Sequence, residues 1–276
     1  MAEAPFGTWP SPLTAELAAE GGPRFGDLAL SDDSGRTIVW YSVLEQGSQR
    51  VYRSVDGADA EAVPDITSPR SRVNEYGGGA LWCHGPTLFY VEDEDQCVYR
   101  LSPGDDGPVR LVEPSDPARS VRHASGAVSP DGTWMALERE IHAGPGHEGA
   151  EAINELAWLP VDGGEARTLW RGPDFVAAPT MSPDGGAIAW LQWNHPDMPW
   201  DGAELWAAGL ENTPEGPRVL APRRVAGGRG VAACLPRWSP DGTLWWCDDR
   251  DDAWLLRHSA APGLPPDGSG AVSYTH

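Results

Sequence analysis

The chain contains no lysine: all 20 of its basic residues are arginine, set against 41 Asp and Glu, for a formal charge of −21. A surface this acidic repels phosphate backbones and anionic headgroups, so neither nucleic acid nor a membrane surface is expected as a partner. No apolar run approaches the roughly 20 residues that span a bilayer. Met1–Thr14 has no basic stretch followed by an apolar core, so no secretory signal is read and the expected location is the cytoplasm. Cysteine is scarce. Cys83, Cys97, Cys234 and Cys247 have no C-x-x-C spacing and no His partners at zinc-finger distances, so reduced thiols and no metal or other cofactor are expected. G-x-S-x-G, the nucleophile elbow of serine hydrolases, occurs nowhere.

What the chain does have is turn formers and tryptophan. Its 33 Gly and 27 Pro are spread evenly, which favours many turns over long helices, and 14 Trp argue against disorder. The tetrapeptide S-P-D-G occurs at Ser129–Gly132, Ser182–Gly185 and Ser239–Gly242, with a degenerate form at Ser31–Gly35 and a plain turn at His84–Pro86. With Asp33, His84, Asp131, Asp184 and Asp241 as markers, the period is about 50 residues, in the range of propeller blades. Each marker lies between β-rich runs, and an Asp-Gly turn in that setting signals a hairpin. The fold predicted is all-β: a single propeller of about five four-stranded blades. The expected blade bounds are 25–70, 71–118, 119–172, 173–224 and 225–276. Residues 1–24 would brace the outside, and Gly270–Thr275 would supply the last outer strand.

Four segments carry a family resemblance: Phe6–Leu17 (F-G-T-W-P-S-P-L-T-A-E-L), Arg72–Ala80 (R-V-N-E-Y-G-G-G-A), Asn194–Trp206 (N-H-P-D-M-P-W-D-G-A-E-L-W) and Pro236–Gly242 (P-R-W-S-P-D-G). Together they resemble the N-terminal propeller of prolyl-oligopeptidase-family serine peptidases, in the dipeptidyl/acylaminoacyl-peptidase branch. The resemblance implies a propeller, commonly of seven or eight blades, followed by an α/β-hydrolase domain that does the chemistry. This sequence has about five repeats, Asn74 where the family commonly has His, and no hydrolase pattern. The resemblance therefore carries over neither peptidase activity nor any catalytic residue.

In a propeller the loops into the innermost strands, and those joining second to third strands, open on one face around the channel mouth. The first set contributes Arg72, Asn74, Glu75, Tyr76, His123, Phe175 and Arg237. The second contributes Glu140, His142, His195, Met198, Trp200, Asp201, Asp249 and Arg250. A Glu with a His can move protons if burial tunes both toward neutrality, which makes Glu75, His123 and His195 the candidate acid–base groups and the others candidate ligand contacts. Each also has a structural reading. Glu75 and Tyr76 can brace loops, Trp200 can be packing, and His123 and His195 can be satisfied structural histidines. His142, His147 and Glu148 share one long loop, but their spacing is not diagnostic of a metal site. Gly77–Gly79 lacks the context of a phosphate loop and suits close backbone approach near the axis.

The resulting expectation is a stand-alone propeller without peptidase activity, binding a small organic or peptide-like ligand in its central pocket. Two alternatives stay open: a cofactor-free isomerase, cyclase or hydrolase of specialised metabolism using that pocket, and a scaffold that docks a protein partner. Glu75, Tyr76, His123, His195, Trp200 and Arg237 are expected to converge on one cavity.

Overall fold

The computed structural model describes residues 12, 14, 15, 24–45, 48–142, 150–259 and 273–274. His147, Glu148 and most of the N-terminal segment lie outside the described residues.

Five four-stranded antiparallel sheets form a five-bladed propeller. Blade one comprises β1 (Arg24–Asp33), β2 (Arg36–Glu45), β3 (Ser48–Val55) and β4 (Glu61–Ala62); blade two comprises β5 (Leu81–His84), β6 (Thr87–Val91), β7 (Val98–Leu101) and β8 (Val109–Arg110). Blade three runs β9 (Val121–Val128), β10 (Trp134–Ile141), β11 (Ile153–Pro160) and β12 (Arg167–Trp170). Blade four runs β13 (Phe175–Met181), β14 (Ala187–Trp193), β15 (Glu204–Thr213) and β16 (Gly216–Gly227), with a helical turn, Pro199–Gly202, between β14 and β15. Blade five has β17 (Ala233–Trp238), β18 (Leu244–Asp248), β19 (Leu255–His258) and, at its edge, β20 (Ser273–Tyr274). From blade one to blade five the first strands of successive blades pack against one another, which makes these the inner strands. Among the described residues no helix is long and apolar enough to cross a membrane.

The repeated tetrapeptide closes the first hairpin of blades three, four and five by local chemistry. In blade three the Ser129 hydroxyl donates to Asp131 at 2.6 Å, Asp131 accepts from the Thr133 amide at 3.1 Å, and Gly132 takes φ +69°, open to glycine without a Cβ clash. Ser182–Asp184 and Ser239–Asp241 repeat the bond at 2.6 and 2.5 Å. The hydroxyl bonds hold all three Asp carboxyls below the usual carboxylate value.

A second repeated device was not anticipated. The inner strands of blades three, four and five each carry a bulge holding one non-glycine residue in left-handed conformation: Ser125 (φ +50°), Ala178 (φ +50°) and Leu235 (φ +54°). In blades three and four the freed amide is met from the preceding blade. Ser125 donates to the Gly79 carbonyl at 2.7 Å, and Ala178 to the Glu138 carboxylate at 2.7 Å. In blade two Gly77–Gly79 serves this close approach. A Cβ on Gly79 would lie 2.1 Å from the Ser125 hydroxyl, and the Gly79 and Ala80 amides donate to Asp27 of blade one at 3.0 and 2.7 Å.

Four apolar cores fill the gaps between successive blades, from Trp40 against Leu88 at blades one and two to Leu205 against Trp246 at blades four and five. Among the described residues no such core joins blade five to blade one. Strand alternation puts Ile38 and Trp40 toward blade two, so Leu28 and Leu30, the partners of Tyr41 and Val39, lie on the opposite face; they are 69% and 65% exposed. Blade five has the corresponding free face, with Cys234, Cys247 and Leu256 across from one another.

Candidate functional site

On the face where second strands hand over to third strands, a cavity of about 370 Å³ opens between blades two, three and four. Its walls come from the loop before β5 (Asn74, Glu75, Tyr76), the β10–β11 region (Glu140, His142, Glu151, Asn154), and the ends of β13 and β14 with the loop that follows (Asp174, Phe175, Trp193, His195, Met198).

One side is apolar. Phe175 and Trp193 are cross-strand partners whose rings stack at 5.2 Å, and His195 sets its edge on Phe175 at 5.0 Å. The His195 amide donates to Asp174 at 2.9 Å, and its ring lies 3.3 Å from Glu151. The other side is ionic. Glu140, almost wholly buried, accepts from the Asn74 amide at 2.7 Å and from Arg122 at 3.0 Å, and stands 2.5 Å from His142 Nε2. Arg122 reaches over to the exposed Glu75 at 2.7 Å, and this bond holds the Glu75 carboxyl below its ordinary value. Asn74 and Glu75 take φ +55° and +66°, the left-handed conformation that turns this loop toward blade three. The Asn74 Oδ1 atom is buried and has no hydrogen-bond partner among the described residues.

Glu75, Glu140 and His142 bring their ligating atoms within 4.8 Å of one another. Arg122 bonds both carboxylates from between them, so a guanidinium stands where a metal's charge would be needed.

Eight of the residues expected at the mouth line this cavity: Asn74, Glu75, Tyr76, Glu140, His142, Phe175, His195 and Met198; Trp200 sits beyond Met198 on the helical turn and does not line it. The others go elsewhere. His123 is buried, its Nδ1 2.9 Å from the Gln96 carbonyl, and burial pushes its pKa down to about 4. It therefore does not join Glu75 and His195 in one cavity. Arg72 is clamped to Asp93 by two bonds of 2.7 and 2.8 Å. Asp201 accepts the Met198 amide at 3.1 Å and belongs to the helical turn. Blade five supplies none of the lining: Arg237 folds onto the Pro236 carbonyl, Asp249 accepts the Ala232 amide, and Arg250 bonds Asp248.

The residues that sequence reasoning missed are Arg122, Glu151, Asn154, Asp174, Trp193 and, beneath the site, Glu138. Glu138 is buried and bonded to no cation among the described residues; burial pushes its pKa up to about 7, and Glu140 adds to the rise. It also helps raise the Tyr76 phenol, where burial is the larger cause.

No protein-family model matches the sequence, and neither does any curated protein. Solved structures do. A puromycin-hydrolysing peptidase of Mycobacterium tuberculosis superposes with a TM-score of 0.79 over 100% of this chain at 28% identity, and a puromycin hydrolase with 0.75 over 99% at 29%. This is a propeller domain related to the N-terminal domains of prolyl-oligopeptidase-family peptidases. The chain spans 42% of the length of each of those two neighbours. Prolyl oligopeptidase B of Galerina marginata, at 15% identity and a TM-score of 0.53, shares the fold.

Proposed function

We propose that this propeller domain binds a small peptide-like amine in the cavity between blades two, three and four, contributing recognition and no bond cleavage of its own. The observation that carries this reading is the division of one cavity into a stacked aromatic wall and a carboxylate rim. Phe175, Trp193 and Met198 suit an aromatic or aliphatic side chain. Glu75, Glu140, Glu151 and Asp174 outnumber the single guanidinium of Arg122, which leaves the rim negative and suited to an ammonium group. The neighbours described as hydrolysing puromycin supply the probe.

Calorimetric titration of the chain with puromycin, and with its N-acetylated derivative, tests the reading. Binding is expected for the free amine and about tenfold weaker for the blocked one, a difference of about 1.4 kcal/mol. Glu75→Gln and Phe175→Ala should each weaken the free amine by a similar factor. If neither puromycin nor short peptides with free amino termini bind at millimolar concentration, the reading is wrong.

One observation favours acid–base chemistry in the same cavity. Glu140 and His142 form a hydrogen-bonded carboxylate–imidazole pair, and both line it. Mass analysis of the ligand recovered after incubation would show conversion in the parent and none in His142→Ala.

A further inference from the structure

Cys234 on β17 and Cys247 on β18 are direct register partners in blade five, and both are free thiols with partial exposure. Neither Cys83 nor Cys97 has a cysteine opposite it: Cys83 faces Leu88 across β5 and β6, and buried Cys97 precedes β7. The hydrogen-bond pattern fixes what kind of pair they make. The Ala233 amide donates to the Ala203 carbonyl of blade four and so points away from β18. Alternation then turns the Cys234 amide and carbonyl toward β18. Cys234 and Cys247 are therefore a hydrogen-bonded antiparallel pair, with Cα atoms about 5.5 Å apart, inside the range that disulfides span. Both side chains share the face turned away from blade four, where no neighbouring blade packs among the described residues.

We propose that Cys234 and Cys247 are a redox modification site, a cross-strand dithiol that a small-molecule disulfide converts to an intrablade disulfide. The thiolate of one cysteine attacks a sulfur of the reagent and expels one thiolate, leaving a mixed disulfide. The second cysteine, deprotonated, attacks the protein-side sulfur of that bond and expels the other half. Two protein S–H groups are oxidised, the reagent's S–S bond is reduced to two thiols, and the two protons end on those thiols.

Two features shape the exchange. Burial holds the Cys234 thiol up at about 11, with Cys247, Asp249 and Asp248 adding to the rise, so that thiol stays protonated and is slow to react on its own. The bulge after Cys234, where Leu235 takes φ +54° ahead of Pro236, lets β17 shift by the small amount that brings the two Cβ atoms into bonding range. The bond would tie the inner strand to its neighbour across that bulge, beside the contact of Ala233 with blade four.

The test is to incubate the reduced, folded chain with oxidised glutathione, cap the remaining thiols after unfolding, and measure intact mass and tryptic peptides. Cys234 and Cys247 fall in different tryptic peptides, cut after Arg229, Arg237 and Arg250, so their bond appears as one linked species. The expected result is loss of two of the four thiols, a mass lower by two hydrogens before capping, and a link between those two peptides that dithiothreitol removes. Cys247→Ser should abolish the link and Cys83→Ser should leave it intact. Retention of all four thiols in the parent chain, or a link joining any other pair or two separate chains, overturns the proposal.

Discussion

In blade five, Asp248 and Arg257 are both 0% exposed and bonded at 2.8 Å, and Arg250 and the Trp246 indole complete the carboxylate's partners. On the mouth face, Glu140 and Arg122 meet at 3.0 Å, but there the ring of partners is open: Arg122 continues to an exposed Glu75, and His142 looks into the cavity. The residue chemistry is the same and the outcomes differ because of what lies on the fourth side. Protein on every side makes an ion pair a structural pin, and breaking it strands a buried charge. Solvent or a ligand on one side lets the same pair present charge to a guest. Burial and pairing together, and neither alone, separate the pin from the site.

The sharpest way to break this comparison is to remove the pin. Asp248→Ala removes the buried carboxylate that Arg257 meets at 2.8 Å and that Arg250 and the Trp246 indole also bond, and should destabilise the fold by about 3–5 kcal/mol in denaturant titration. A cost under about 1 kcal/mol would mean that blade five relaxes around the change. Glu140→Gln comes next. It keeps the shape but weakens the bonds to Arg122 and the Asn74 amide, at an expected cost of about 1–2 kcal/mol. It should also weaken amine binding about tenfold. Asp248→Ala, assayed where it is still folded, should leave amine binding nearly unchanged.

A third carboxylate sharpens the rule. Burial works against the Asp248 charge, yet Arg250, Trp246 and Arg257 hold its carboxyl below the ordinary value. Glu138, also buried but bonded to no cation among the described residues, rises from 4.5 to about 7. A raised folded-state pKa means that the native protein binds the proton more tightly. The contribution of Glu138 is thus full below about pH 4.5 and lost as pH rises through about 7. Asp248 has the opposite sign, contributing above its unfolded value and losing it as pH falls. Stability of the parent should therefore decline between about pH 5 and pH 7 in a way that Glu138→Gln removes, since the amide oxygen can still accept the Ala178 amide. An unchanged pH profile in the variant would show that Glu138 does not titrate there.

The fold was legible because its determinant is local. Ser, Asp and Gly in S-P-D-G satisfy each other within one turn, so spacing alone counts blades. The site was legible only in part, and His123 shows why. Counting pairs outward from the Ser129–Gly132 turn without interruption would set Glu140 opposite His123. The bulge at Ser125 shifts the register, so the partner of Glu140 is Arg122, and His123 turns into the core against Gln96. A one-residue slip exchanges the faces of a strand. The bulge residues Ser125, Ala178 and Leu235 stand at a constant offset from Asp131, Asp184 and Asp241, so superposing the repeats would have revealed the position, though not its left-handed backbone. The loop after β14 was also legible only in part: of its two apolar candidates, Met198 reaches the cavity while its aromatic neighbour does not.

That neighbour, Trp200, gives the smallest expected effect and the most direct check on where the site ends. It is 61% exposed on the helical turn, and the turn itself is held by Met198 and Asp201 backbone and carboxylate bonds that do not use the indole. Trp200→Ala should change stability by less than about 0.5 kcal/mol, as surface substitutions away from special features do. It should also leave puromycin binding within about twofold, whereas Phe175→Ala, on the stacked wall, weakens it about tenfold. A tenfold loss in Trp200→Ala would move the boundary of the aromatic wall outward onto the turn, and the ligand would then have to be long enough to bridge from the Glu75 rim past Met198.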